Sequence, residues 1–119
     1  MKRPTRRPQQ VAGTIRQVIT DALAREVRDP RVGFVTVTGV LVTNDLSHAR
    51  VMVSVAGDEA ERAKAMEGLQ SAAGFLRTRA ARALTTRTVP ELHFELDKGI
   101  QHAARIEELL QTIRREEPD

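Results

Sequence analysis

The stretch from Ser71 to Asp97 carries most of the side chains whose type and spacing suggest chemistry. Between Gly68 and Pro90 it contains four arginines and no acidic residue. The four are Arg77, Arg79, Arg82 and Arg87. Solvated surfaces usually mix charges of both signs, whereas a row of uncompensated guanidinium groups suits the phosphates of a nucleic-acid backbone. A solvated helix face is the simplest alternative, but the missing acids favour an RNA-binding surface.

A second kind of chemistry is suggested by His93, Glu95 and Asp97. On a strand these alternating residues would point to one face, where they could hold a divalent metal for phosphodiester hydrolysis. The simpler interpretation is the polar face of an edge strand. No nucleophile–base pair or glycine-rich phosphate loop appears elsewhere. We therefore expect no catalytic activity, no cofactor and no metal, and we keep a metal-dependent phosphodiesterase as an alternative.

The composition of the chain excludes several kinds of site and location. The chain has no cysteine, which excludes disulfides, thiolate zinc sites and cysteine nucleophiles. Its histidines, His48, His93 and His102, are far apart in sequence and match no metal-binding spacing. No apolar run approaches the roughly 20 residues of a membrane span, and the basic start lacks the apolar segment of a secretory signal. We expect a cytoplasmic protein with no membrane partner.

The first half of the chain predicts one helix and a hairpin. Apolar periodicity predicts the helix from about Pro8 to Arg28, ended by the dipeptide Asp29-Pro30. Alternating β-branched residues predict strands at 33–43 and 49–55, joined by a turn at 44–47. The alternation changes phase across Gly39, so we predict a one-residue β-bulge at Thr38-Gly39. That bulge would return four residues to the core side: Val35, Val37, Val40 and Val42.

The second half predicts two helices separated by a break, then a strand and a last helix. Asp58 is a suitable N-cap for a helix at about 59–73. We expect a break at Ala72-Ala73-Gly74, after which a second helix carries the arginines. Pro90 precedes a strand that turns Leu92, Phe94 and Leu96 to the core, and a final helix ends near Arg115. The three phenylalanines are expected in the core: Phe34, Phe75 and Phe94.

The predicted order is helix, strand, strand, helix, helix, strand, helix. Helices on one face of a three-stranded sheet make an α+β domain, and this order is that of the type II KH fold. We expect a flexible basic arm at 1–7, one domain at 8–115 and a tail at 116–119. The basic residues of the arm are a predicted secondary RNA contact: Lys2, Arg3, Arg6 and Arg7.

Several short motifs, taken in order and spacing, resemble the ribosome-binding factor A family of bacteria. They are Asp29-Pro30-Arg31, Val35-Thr36-Val37-Thr38, Asp45-Leu46, Ala49-x-Val51-x-Val53-Ser54-Val55, Ala72-x-Gly74-x-Leu76-Arg77 and Pro90-Glu91-Leu92-x-Phe94-x-x-Asp97. The resemblance spans about Val11 to Ile113. It implies a single KH-like domain in which an Ala-x-Gly kink replaces the usual GxxG loop, and this adds Ala72 and Gly74 to the predicted RNA site.

The resemblance also implies a function. It implies a non-enzymatic assembly factor that binds the free 30S subunit, rather than 70S ribosomes, and its 16S rRNA. It further implies support of late small-subunit maturation, including 16S rRNA 5′-end processing and cold adaptation. We expect a monomer. We also expect recognition through phosphates and RNA shape. Single-strand binders usually stack bases on aromatic side chains, and this chain has only three phenylalanines and no tyrosine or tryptophan. A protein-binding module that uses the C-terminal helix is a further alternative.

Overall fold

The computed structural model describes residues 6–99 and Leu110. Its elements in chain order are α1 (Arg6–Arg25), a 3₁₀ turn (Pro30–Val32), β1 (Val35–Val42), β2 (His48–Val55), α2 (Glu59–Ala83) and β3 (Glu91–Leu96). The α+β class and the three-stranded sheet are confirmed. Apart from Leu110, which is helical, the predicted C-terminal helix and the 116–119 tail lie outside the described residues. Within the described residues no helix has both the length and the apolar character needed to cross a membrane.

The sheet has the strand order β1-β2-β3, with β2 in the centre. β1 and β2 pair antiparallel, and β2 and β3 pair parallel. A parallel pair needs a long crossover connection, and α2 provides it. The helices cover one face of the sheet, where the largest fully buried side chains include Ile15, Ile19, Leu69, Leu76, Val51 and Val53. The predicted facing of β3 is confirmed, since Leu92 and Phe94 are buried and His93 is exposed.

Helix α1 buries Val11, Ile15, Ile19 and Ala22, which lie at helical spacing on one face. It starts two residues earlier than predicted, at Arg6, because a proline is tolerated in the first turn of a helix. It also ends earlier, at Arg25. Asp29-Pro30 does not terminate it; the Asp29 side chain accepts a hydrogen bond from the Arg31 backbone N–H and caps the 3₁₀ turn.

The predicted β-bulge is confirmed. Val37 pairs with Val53 and Gly39 pairs with Met52, which leaves Thr38 as the extra residue of β1. Beyond the bulge, Val40 lies opposite Val51 in the core. The bulge therefore explains why the alternation of apolar residues changes phase at Gly39.

The predicted break at Ala72–Gly74 is wrong, because α2 is one continuous helix from Glu59 to Ala83. Its buried positions keep a single helical register through the small residues, at Ala65, Leu69, Leu76 and Ala80, with Ala72 and Ala73 partly buried between them. Gly74 is exposed on the opposite side and has no positive φ. The helix starts as predicted at the N-cap Asp58, which forms a capping box with Glu61.

Only one phenylalanine occupies the core as predicted. Phe94 is 8% exposed, but Phe34 is 72% and Phe75 is 43% exposed. Each exposed ring adjoins a residue that takes the inward position, Val35 at the start of β1 and Leu76 in α2. The prediction failed because neighbouring residues on a strand or helix face different directions.

Candidate nucleic-acid interface

The arginine surface comprises Arg77, Arg79 and Arg82 on the last turns of α2 and Arg87 in the loop that follows. Arg82 and Arg87 are exposed. Among residues 6–99 neither takes part in an ion pair. Arg77 has a structural bond, because its guanidinium Nη2 donates to the Val89 carbonyl at 2.9 Å. This bond ties the helix to the segment that leads into β3.

Arg79 is not an uncompensated charge. Its Nη2 lies 2.5 Å from a carboxylate oxygen of Glu26, and the two side chains are 36% and 37% exposed. The guanidinium carbon also lies 5.4 Å from the centre of the Phe75 ring, within the range of a cation–π contact. The partner acid comes from the residue after α1, so a count of charges along α2 could not reveal it.

A groove between α2 and β3 contains the other predicted positions of the helix. Gly74 and Arg77 line it on one side, and Glu91 and His93 line it on the other. A Cβ added to Gly74 would meet no atom within 4 Å, so this glycine leaves the groove wall open. Ala72 instead packs against the hydrophobic core. The two members of the Ala-x-Gly motif therefore face different environments.

The predicted basic arm is only partly described. Arg6 and Arg7 form the start of α1, and the Arg7 side chain is exposed. Lys2 and Arg3 lie outside the described residues.

The predicted metal triad does not form one site, because two of its members have separate partners. Glu95 forms a two-bond ion pair with Arg50, at 2.5 and 3.2 Å, and this hydrogen bonding lowers the pKa of the Glu95 carboxyl. Asp97 accepts a 2.7 Å hydrogen bond from the hydroxyl of Thr38, the bulged residue. These contacts join β3 to the other two strands, which favours the interpretation of a polar strand face.

A different cluster, which the sequence analysis missed, lies on the exposed side of the sheet. His48 Nδ1 is 3.0 Å from His93 Nε2 and 3.8 Å from a carboxylate oxygen of Glu91. We call these three residues the histidine cluster. The sequence does not indicate this cluster because His48 and His93 are 45 residues apart. Knowledge that β2 and β3 pair in parallel would have predicted it.

Comparison with known proteins agrees with this fold. The family model described as "Ribosome-binding factor A" matches residues 7–110. A Ribosome-binding factor A from Halothermothrix orenii is 44% identical over 98% of this chain and 94% of its own length. A solution NMR structure of a Thermotoga maritima protein is 35% identical, covers 73% of this chain and 83% of its own, and superposes with a TM-score of 0.66.

A third relative is a Thermus thermophilus ribosome binding factor A, a homology model fitted into the cryo-EM map of a 30S–RbfA complex. It is 29% identical, covers 69% of this chain and 90% of its own, and has a TM-score of 0.52. The α+β fold with its three-stranded sheet is consistent with the KH-like class of domains. The chain belongs to the ribosome-binding factor A family.

Proposed function

We propose that this protein is a non-enzymatic assembly factor that binds the free 30S subunit and its 16S rRNA. It would support late small-subunit maturation, including 16S rRNA 5′-end processing and growth in the cold, as a cytoplasmic monomer that does not bind 70S ribosomes. Membership of the family over residues 7–110 supports this function. The 30S complex of the Thermus thermophilus relative supports the choice of partner.

The single observation that carries the RNA contact is the exposed, acid-free end of α2. Arg82 and Arg87 are solvent-accessible guanidinium groups with no ion-pair partner within residues 6–99. Planar guanidinium groups bind phosphate oxygens in a bidentate manner. We therefore assign phosphate binding chiefly to these two residues. Arg77 and Arg79, already held by protein partners, would present the surface. The Nε of Arg79 is buried, so Arg79 would reach RNA only through its outer guanidinium nitrogens.

The exposed Phe75 adds a way to bind a base. Residues 75, 79 and 82 are spaced by four and three, so Phe75, Arg79 and Arg82 share one helix face. The Phe75 ring is 43% exposed, and an unstacked RNA base would stack on it while neighbouring phosphates bind the arginines. Gly74 in the adjoining groove would let RNA approach the helix backbone closely. Arg6, Arg7, Lys2 and Arg3 would make secondary backbone contacts.

The test is 30S binding at increasing salt with charge-neutral variants. Arg82→Gln and Arg87→Gln should each weaken binding and reduce the slope of log K against log [salt] by roughly 0.7–0.9 if each loses one phosphate contact. Lys64→Gln is the matched control, since it removes one exposed charge from the same helix face 18 residues away, about 27 Å along α2. The control should bind as the parent does. Unchanged affinity and slope in an Arg82→Gln/Arg87→Gln double variant would contradict the assignment.

A further inference from the structure

The histidine cluster combines three side chains that are common metal ligands. Each offers one ligand atom, and the three atoms lie within 4.8 Å of one another. All three side chains are exposed, so an ion in solution can reach them. None of them belongs to the arginine surface. The proposed binding of RNA phosphates by arginines therefore leaves the metal-ligating capacity of this cluster unused.

The sheet holds the ligands in place. His48 is the register partner of Glu91 across the parallel pair, and Arg50 is the partner of His93, two residues further along both strands. The Glu91 backbone N–H donates to the Ser47 carbonyl at 2.9 Å. Because paired strands are rigid, the ordering cost of gathering the ligands is met largely by folding.

The loop before β2 fixes the His48 backbone as well. The His48 N–H donates to the Thr43 hydroxyl at 3.1 Å, and the His48 carbonyl accepts from the Thr43 N–H at 3.0 Å. Asp45 Oδ1 accepts hydrogen bonds from the hydroxyls of Ser47 and Thr43 and from the Ser47 N–H, so hydrogen bonds hold the loop that carries His48.

The ligand types and spacing select a borderline divalent ion. Imidazole nitrogens with one carboxylate suit zinc and similar transition metals rather than magnesium. With Zn–N bonds of about 2.0–2.1 Å, the 3.0 Å separation of the two nitrogens corresponds to an angle of about 95° at the metal. Tetrahedral geometry needs that separation to open by about 0.3–0.4 Å, and it needs the Glu91 oxygen, 3.8 Å from His48 Nδ1, to move closer by about 0.4 Å.

Two cationic side chains lie near the cluster. The Arg50 guanidinium is paired with Glu95. Arg77 lines the same groove as Glu91 and His93 and keeps its charge, because the Val89 carbonyl to which its Nη2 donates is neutral. The Glu91 carboxylate is the cluster's own compensating charge. We propose that His48, Glu91 and His93 form a three-ligand site for one Zn²⁺ or similar divalent transition-metal ion, with the fourth position open to water.

The test is titration of the full chain, free of any histidine tag, with ZnCl₂ by calorimetry. We expect saturable one-to-one binding to the parent and at least a tenfold loss of affinity in His93→Ala and in Glu91→Gln. MgCl₂ should give no binding. Co²⁺ should give visible d–d absorption bands in the parent and lose them in His93→Ala, a spectroscopic result that a merely structural role would not produce.

Two control variants complete the design. Glu59→Gln removes an exposed carboxylate at the start of α2, outside the cluster, and His102→Ala removes the remaining histidine of the sequence. Both should bind Zn²⁺ as the parent does. His48→Gln, checked for folding by circular dichroism, serves if His93→Ala does not fold. The proposal is overturned if the parent does not bind Zn²⁺ saturably, or if the cluster variants bind as tightly as the parent.

Discussion

Arg79 shows how the folded neighbourhood changes the meaning of a residue. Along the sequence it is one of four arginines without a nearby acid, and this predicted a free cation. In the fold Glu26 neutralises it, and the Phe75 ring lies beside it. Pairing across elements depends on how α1 meets α2, and local sequence does not specify that. The exposed Arg82 and Arg87 match the prediction of accessible charge more closely.

A charge swap tests the Arg79 pair. Arg79→Glu should lower the melting temperature, because a carboxylate would then face Glu26 in a half-exposed setting. The effect should be modest, about 0.5–1 kcal/mol, since exposed ion pairs contribute little. Glu26→Arg combined with Arg79→Glu should recover most of the loss.

The swap also separates stability from binding. If the Arg79 charge contacts RNA, the stable double variant should still bind 30S subunits less tightly than the parent. Arg87→Glu is the stability control, since it makes the same charge reversal at an exposed loop position that has no ion pair within residues 6–99. An Arg79→Glu protein as stable as the parent, or a swap that recovers nothing, would contradict the role of the pair.

Helix α2 contains two glycines whose environments differ. A Cβ at Gly68 would lie 2.8 Å from Val32 Cγ1 and 3.2 Å from Arg31 Cβ, so here the 3₁₀ turn approaches the helix backbone closely. A Cβ at Gly74 would meet nothing within 4 Å. The glycine that the sequence analysis selected as essential for structure is the one without a packing requirement.

The same substitution at these two positions should therefore have opposite effects. Gly74→Ala should raise the free energy of unfolding by up to about 1 kcal/mol, because alanine is the better helix former. Gly68→Ala should lower it, because overpacking a filled site costs about 1–3 kcal/mol. Thermal or denaturant unfolding of both variants against the parent measures this. A destabilised Gly74→Ala protein would contradict the continuous helix and restore the predicted break.

Local patterns predicted the elements whose causes are local. The alternation of valines located the bulge, and Asp58 located the start of α2, because both depend on neighbouring residues. The predicted helix break is wrong because the small residues Ala72, Ala73 and Gly74 do not mark a boundary here. The spacing of the buried residues of α2 continues through them unchanged. The histidine cluster needed the parallel pairing of β2 with β3, which is a property of topology.

At the scale of the whole molecule, the helices cover one face of the sheet and leave the other exposed. Arg82 and Arg87 lie at the end of α2 and in the loop that follows, while the histidine cluster lies on β2 and β3 and shares a groove with Arg77. Variants at Arg82 and Arg87, rather than at Arg77, therefore test the proposed RNA contact independently of the proposed metal site. The Arg82→Gln/Arg87→Gln variant should keep Zn²⁺ binding, and the His93→Ala variant should keep the salt dependence of 30S binding.

Sedimentation measures whether the protein binds the free small subunit. Purified chain is mixed with 30S subunits or with intact 70S ribosomes at low salt, and each mixture is run through a sucrose gradient. We expect co-migration with the 30S peak and no protein in the 70S peak. Protein that stays at the top of both gradients, or that migrates equally with 70S ribosomes, would contradict this expectation.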